Sequence, residues 1–95
     1  MKTVLFSPLA QDDISDIWDY TVAQWGEKQA VTYTHNLREA SVELATGLAV
    51  SQTVDIREGY LKYRSGEHFI YFKETDANIT VIRILHKSMD VGRHL

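Results

Sequence analysis

From Ser7 to Trp25 the chain carries one apolar stripe at helical spacing. At about 100° per residue, Ala10, Ile14, Ile17, Trp18, Thr21 and Trp25 share a narrow arc, and Asp12, Asp16 and Asp19 gather opposite. Ser7 offers a hydroxyl cap, Pro8 suits the first helical position, and Asp12 and Asp13 lie near the positive end of the helix dipole. Gly26 breaks the pattern. A second stripe, Ala30, Tyr33, Leu37, Ala40 and Leu44, predicts a helix from about Glu27 to Thr46, stopped by Gly47. A connection this short makes the helices antiparallel, with Trp18 and Trp25 expected as core anchors.

Either side of the hairpin the period changes to two. "KTVLF" is β-branched and apolar and predicts a first strand. After an irregular stretch, "GLAVSQTVDIREG", the run "YLKYR" alternates, Ser65-Gly66 offers a hairpin turn, and "HFIYFK" is apolar on both faces. Asp76 to Asn78 offers a second turn before "ITVIRILH". The expected fold class is α+β: an N-terminal strand, an antiparallel helical hairpin and a three-stranded antiparallel meander, in a single domain over residues 1–95. The middle strand is the expected centre of the sheet.

Composition narrows the function classes. There is no cysteine, so disulfides, thiolate metal sites and thiol catalysis are excluded, and His35, His68, His86 and His94 show no metal-ligand spacing. Neither a metal nor a cofactor is expected. No apolar run is long enough to cross a bilayer and the first thirteen residues lack a long signal-peptide core, so the expected location is cytoplasmic, without a membrane partner. A net charge of -3 argues against free nucleic-acid binding. The charge is uneven: residues 1–50 carry three basic against seven acidic residues, residues 51–95 seven basic against six acidic. An anionic partner is therefore sought in the second half.

Tyr60, Lys62 and Arg64 project to one face of their strand, as do Val81, Arg83 and Leu85 of the last strand. If these faces coincide, Lys62, Arg64 and Arg83 form a cationic cluster beside Arg57 and His86, suited to phosphate or carboxylates. The plainer reading makes Lys62 and Arg64 solvating charges of an outer strand and pairs Arg83 with Glu67 or Glu74. His86 is either a proton-transfer group or a hydrogen-bonded structural histidine.

Four stretches together resemble one known family: "SPLAQDDISDIWDYT", "WGEKQAVTY", "DIREGYLKYRSGEHFIYF" and "IRILHKSMDVGRHL", the last with Leu85, His86, Met89, Asp90, Arg93, His94 and Leu95 in a characteristic spacing. The chain resembles, along its whole length, the ParE toxins of bacterial type II toxin-antitoxin modules, within the ParE/RelE superfamily. The resemblance implies a small toxin without catalytic activity of its own. Such a toxin poisons DNA gyrase, blocks replication, and is held inactive in a hetero-oligomer with a cognate ParD-like antitoxin. The expected target-binding residues are Arg57, Lys62, Arg64, Arg83, His86, Lys87, Arg93 and His94.

The same fold carries an alternative, a RelE-like ribosome-dependent messenger RNA endonuclease. There Lys62, Arg64 and Arg83 would stabilise phosphate charge, and His86 or Tyr71 would move protons. A relic that binds its antitoxin but has lost its target is a third reading. The tail from His86 to Leu95 is expected to be a working surface, with Met89 and Val91 docked on the domain, Asp90 available to Arg93, and Lys87, Arg93 and His94 facing the target.

Overall fold

The computed structural model describes all 95 residues. Strand β1 (Thr3–Phe6) leads into helix α1 (Pro8–Trp25) and helix α2 (Glu27–Thr46). Strands β2 (Gln52–Thr53), β3 (Leu61–Ser65), β4 (His68–Glu74) and β5 (Asn78–His86) follow, and the tail holds one 3-10 turn, Val91–Arg93. The strands form one sheet in the order β1-β5-β4-β3-β2.

The helix boundaries agree with the apolar pattern. Ser7 Oγ accepts from the Ala10 amide at 3.0 Å, capping α1, and also donates to the Ile82 carbonyl at 2.6 Å, so one hydroxyl starts the helix and ties it to β5. Gly47 sits in the left-handed region at φ 77°, the conformation that ends α2. The acidic residues of α1 do not serve its dipole, since none lies in the first turn. The helices cover one face of the sheet. Ala10, Ile14, Ile17, Leu37, Ala40, Leu44, Ile70, Phe72, Ile79, Val81 and Ile84 belong to one buried cluster there.

The meander is as the turns imply: β3 pairs antiparallel with β4 and β4 with β5. Two features go beyond it. β1 pairs in parallel with β5, Thr3 opposite Asn78 through Phe6 opposite Val81, making the sheet mixed. β2, a two-residue edge strand inside the stretch expected to be irregular, pairs with β3 at Gln52 and Lys62. A register shift at Tyr71/Phe72 leaves Ile82 without a paired residue, so β5 bends just where β1 ends.

The tryptophans are not both core anchors. Trp18 is half-buried, and Trp25 is 73% exposed because the buried stripe of α1 ends at Thr21 and its last turn overruns the core.

Candidate functional site

Cross-strand register decides which chemistry meets. Lys62, Tyr71 and Arg83 stand opposite one another on β3, β4 and β5, and Arg64, Phe69 and Leu85 form the next row. Lys62 and Arg64 therefore share a face with Arg83 and Leu85, away from the helices, but Val81 does not: the register shift at Ile82 turns it into the core on the helix side. The free cationic cluster does not follow. Lys62 Nζ lies 4.7 Å from the Phe69 ring centroid, and Arg64 Nε donates to the Gly66 carbonyl at 3.0 Å at the strand end. Tyr60 lies between the Arg57 guanidinium, at 5.5 Å, and Lys73 Nζ, at 5.1 Å.

Arg83 is committed elsewhere. Its Nε and Nη2 both donate to the Asp13 carboxylate at 2.8 Å, a bidentate pair, and Asp13 also accepts from the Ile84 amide at 2.9 Å. The expected partners are corrected by this arrangement, since Glu67 binds Lys87 at 2.7 Å and Glu74 binds Lys2 at 2.8 Å. β1 stops at Phe6, so the edge of β5 beyond Val81 has no strand beside it. Asp13, on the buried side of α1, supplies the acceptor that Ile84 would otherwise lack. The Asp13 hydrogen bonds raise the Arg83 pKa above its usual value, against the effect of burial.

The tail is fastened by backbone oxygens. Arg83 Nη1 donates to the His94 carbonyl at 3.3 Å, and Arg57 Nη1 donates to the Leu95 backbone oxygen at 2.7 Å. Asp90 caps the 3-10 turn through the Gly92 amide and lies 3.5 Å from Arg93. Tail and β2–β3 loop meet at Gly92, where an added Cβ would stand 3.9 Å from Ile56 Cδ1. On the helix-free face Tyr71 and Leu85 are each 2% exposed. Burial raises the Tyr71 phenol pKa, so it is a poor proton carrier at neutral pH. Met89 does not dock as expected, being 46% exposed, whereas Val91 and Leu95 are half-buried. Lys87 is engaged with Glu67, and Arg93 and His94 are exposed.

His86 lies on the opposite side of the sheet from Lys62 and Arg64, opposite His68 at the start of β4. The two imidazoles meet edge to face, centroids 5.4 Å apart, and His68 makes a similar contact with Tyr33. The Tyr33 hydroxyl accepts from the Glu67 amide at 3.0 Å and bonds His68 Nδ1. The β3–β4 turn comes so close to Tyr33 that a Cβ on Gly66, already at φ 59°, would stand 2.9 Å from that hydroxyl. Ser88 donates to His86 Nδ1 from its amide, at 3.1 Å, which puts the neutral ring's proton on Nε2. Burial, then the positive charge of His86, lowers the His68 pKa to about 4, and burial raises that of Tyr33. The Lys87 ammonium holds Glu67 below its ordinary pKa.

A cleft of about 600 Å³ lined by Tyr20, Thr21, Trp25, Gln29, Tyr33, Glu67, His68 and His86 opens over this cluster. A second of about 390 Å³ shares Tyr20, His68 and His86 with it and adds Asp16, Ile17 and Met89. Of these only His86 was a candidate site residue in the sequence; Met89 was expected to dock the tail, Trp25 to anchor the core and Glu67 to pair with Arg83. His68 was within reach, because consecutive hairpins in register bring it opposite His86. Tyr20, Trp25 and Tyr33 come from the closed end of the helical hairpin, either side of Gly26, where the stripe positions of Trp25 and Tyr33 signal packing and not a site.

Similarity to known proteins agrees with this architecture. Residues 4–91 match the family described as "ParE toxin of type II toxin-antitoxin system, parDE". The chain is 39% identical over 93 residues to Toxin ParE1 of Mycobacterium tuberculosis, covering 96% of this chain and 95% of that one. It is 32% identical over 96 residues to Toxin ParE1 of Caulobacter vibrioides, covering 100% and 99%. Among solved structures, one from the chromosomal ParDE toxin-antitoxin system of P. aeruginosa superposes with a TM-score of 0.77 at 17% identity, covering 90% of this chain and 96% of that one. Sequence identity of this extent along nearly the full length shows that the chain belongs to the ParE toxin family of type II toxin-antitoxin systems.

Proposed function

We propose that this ParE-family toxin acts in the cytoplasm by binding DNA gyrase, so stopping replication and growth, and that a ParD-like antitoxin encoded beside it neutralises it. The observation that carries this reading is the near-full-length match to ParE toxins. The parDE family description and the P. aeruginosa ParDE neighbour support the antitoxin half.

The arrangement of charge supports binding over bond cleavage. A RelE-like endonuclease built on Lys62, Arg64, Arg83 and His86 needs them around one phosphate. Here Asp13 neutralises Arg83, and His86 faces the helices while Lys62 and Arg64 face away. The surface assigned to gyrase is the helix-free face with its tail. Lys62, Arg64, Arg93 and His94 are its outward contacts, Arg57 and Arg83 hold the tail, and Lys87 and His86 mark its border.

The deciding experiment incubates purified toxin with gyrase, ATP and plasmid, and separately with translating ribosomes and messenger RNA. Cleaved plasmid or arrested supercoiling, with messenger RNA intact, is the expected result. Codon-positioned cuts in messenger RNA with unaffected gyrase would overturn the assignment.

A further inference from the structure

Ten lysines and arginines stand against thirteen acids in this chain, acid enough for every cation to have a counter-charge. Only four take one: Lys2, Arg83, Lys87 and Arg93. Of the six others, Lys28 and Arg38 lie on α2, while Lys62, Arg64 and Lys73 stand on the helix-free face and Arg57 at its rim. No carboxylate oxygen lies within 4.0 Å of these last four, although Asp55 and Glu58 share the loop of Arg57. Glu67, whose field reaches Arg64, is itself bound to Lys87. Protection of a sheet edge does not explain them, because β2 lies outside β3 and Lys73 belongs to the central strand β4.

Aromatic rings hold three of these cations: Lys62 rests over Phe69, and Tyr60 lies between Arg57 and Lys73. A ring orients a cation without cancelling its charge, which a carboxylate would do. Arg64, Lys62 and Lys73 occupy successive rows of the β3–β4 ladder, about 6.8 Å apart. Gln52 beside Lys62 and Thr80 beside Lys73 add neutral polar side chains at the flanks. We propose that this ladder binds the phosphate backbone of the DNA held by gyrase, with Arg64, Lys62 and Lys73 each meeting a phosphate and Arg57 steadying Tyr60. Evenly stepped cations with no acid among them fit a regularly repeating anion, and such contacts position the protein without reading sequence. The net charge of -3 keeps affinity for free DNA low, so the ladder acts once gyrase has raised the local concentration of DNA. Gyrase as the source of the DNA rests on the proposed function. The phosphate chemistry stands without it.

Two measurements on the full chain test the ladder. Binding to a labelled duplex of about 20 base pairs is followed by fluorescence anisotropy from low salt upwards, where three phosphate contacts give a slope of log K against log salt of about -3. Lys62→Gln with Lys73→Gln should reduce the slope to about -1, and Lys28→Gln, which removes an unpaired charge from α2, should leave it unchanged. Lys62→Arg with Lys73→Arg keeps the charge and should keep the slope, which a merely structural role of the lysines would not require. Matching thermal transitions verify the folds. No binding at low salt, or a slope that the double Gln variant shares with the unmodified chain, overturns the ladder. Binding to gyrase is then compared with and without plasmid. DNA should tighten it by about tenfold or more, a gain the double Gln variant should lose. An equal loss of affinity for gyrase with and without DNA makes the partner an acidic protein surface and overturns the assignment to DNA. No binding to gyrase in either form overturns the proposed function, and the salt slope then decides the phosphate ladder alone.

Discussion

The two faces of the sheet are made by alternate residues of the same strands, yet they are closed by different means. On the helix face Ile70, Phe72, Ile79, Val81 and Ile84 are sealed by two amphipathic helices. On the other face Tyr71 and Leu85 reach the same degree of burial, on the side where a short tail with almost no regular structure is tied to Arg83 and Arg57. Helical stripes bring their own apolar area to the seal. The tail brings little, and is held instead by two arginines gripping backbone oxygens. A face closed by hydrogen bonds to the chain end depends on few contacts.

The largest test of this contrast lies at the one ion pair that serves both faces. Asp13→Ala should destabilise the protein by about 2–4 kcal/mol, because it leaves the part-buried Arg83 without a counter-charge and the buried Ile84 amide without an acceptor. Asp13→Asn keeps one acceptor and should cost less. The urea denaturation midpoint measures both, and an Asp13→Ala cost below about 1 kcal/mol would mean that water replaces the carboxylate.

Neighbouring core residues on the two faces give a sharper test. Ile84→Ala and Leu85→Ala should each cost about 2–4 kcal/mol in the intact chain. Removing residues 91–95 exposes Leu85 but not Ile84, so in the truncated protein the Leu85→Ala cost should fall by about half while that of Ile84→Ala persists. Equal costs in both backgrounds would show that the tail does not seal its face. Loss of the tail should lower stability as well as target binding, because it is both clasp and surface.

A smaller effect distinguishes the ends of the faces. The His68 pKa is depressed from the ordinary 6.5 to about 4, so below pH 6.5 the unfolded chain takes up a proton that the folded chain refuses. Stability should be complete above that pH and decline as pH falls towards 4. His68→Gln should flatten this part of the profile, measured by denaturation at pH 7, 6 and 5. Lys87→Ala, which removes an exposed pair with Glu67, should change stability least, leaving the thermal midpoint close to that of the unmodified chain. A larger loss would make the His86–Lys87 corner part of the clasp.

Much of this was legible in the residues. The caps at Ser7 and Gly47, both helices and the meander follow from local pattern, and alternation puts Lys62 and Arg64 on one face with Arg83 and Leu85; it fails at Val81, which the register shift turns to the helix side. Asp13 also left a signal that the dipole reading obscured. It lies three residues after Ala10 and four before Ile17, on the buried stripe, and a carboxylate there requires a buried partner. β2 was not legible, being two exposed residues whose only signature is their pairing with β3.

The sequence by itself determined the elements, their amphipathic faces and the family, because helix and strand periods act within a few residues and the closing motif is read directly. Tertiary structure alone decided the rest. The parallel docking of β1 left the edge of β5 open at Ile84, and that opening drew Asp13 and Arg83 together across 70 residues of chain. The bend at Ile82 turned Val81 into the helix-side core while Arg83 and Leu85 stayed on the other face beside Lys62 and Arg64. Side-chain partners at such separations are chosen by what the packed elements leave unsatisfied, and that remainder exists only once they have packed.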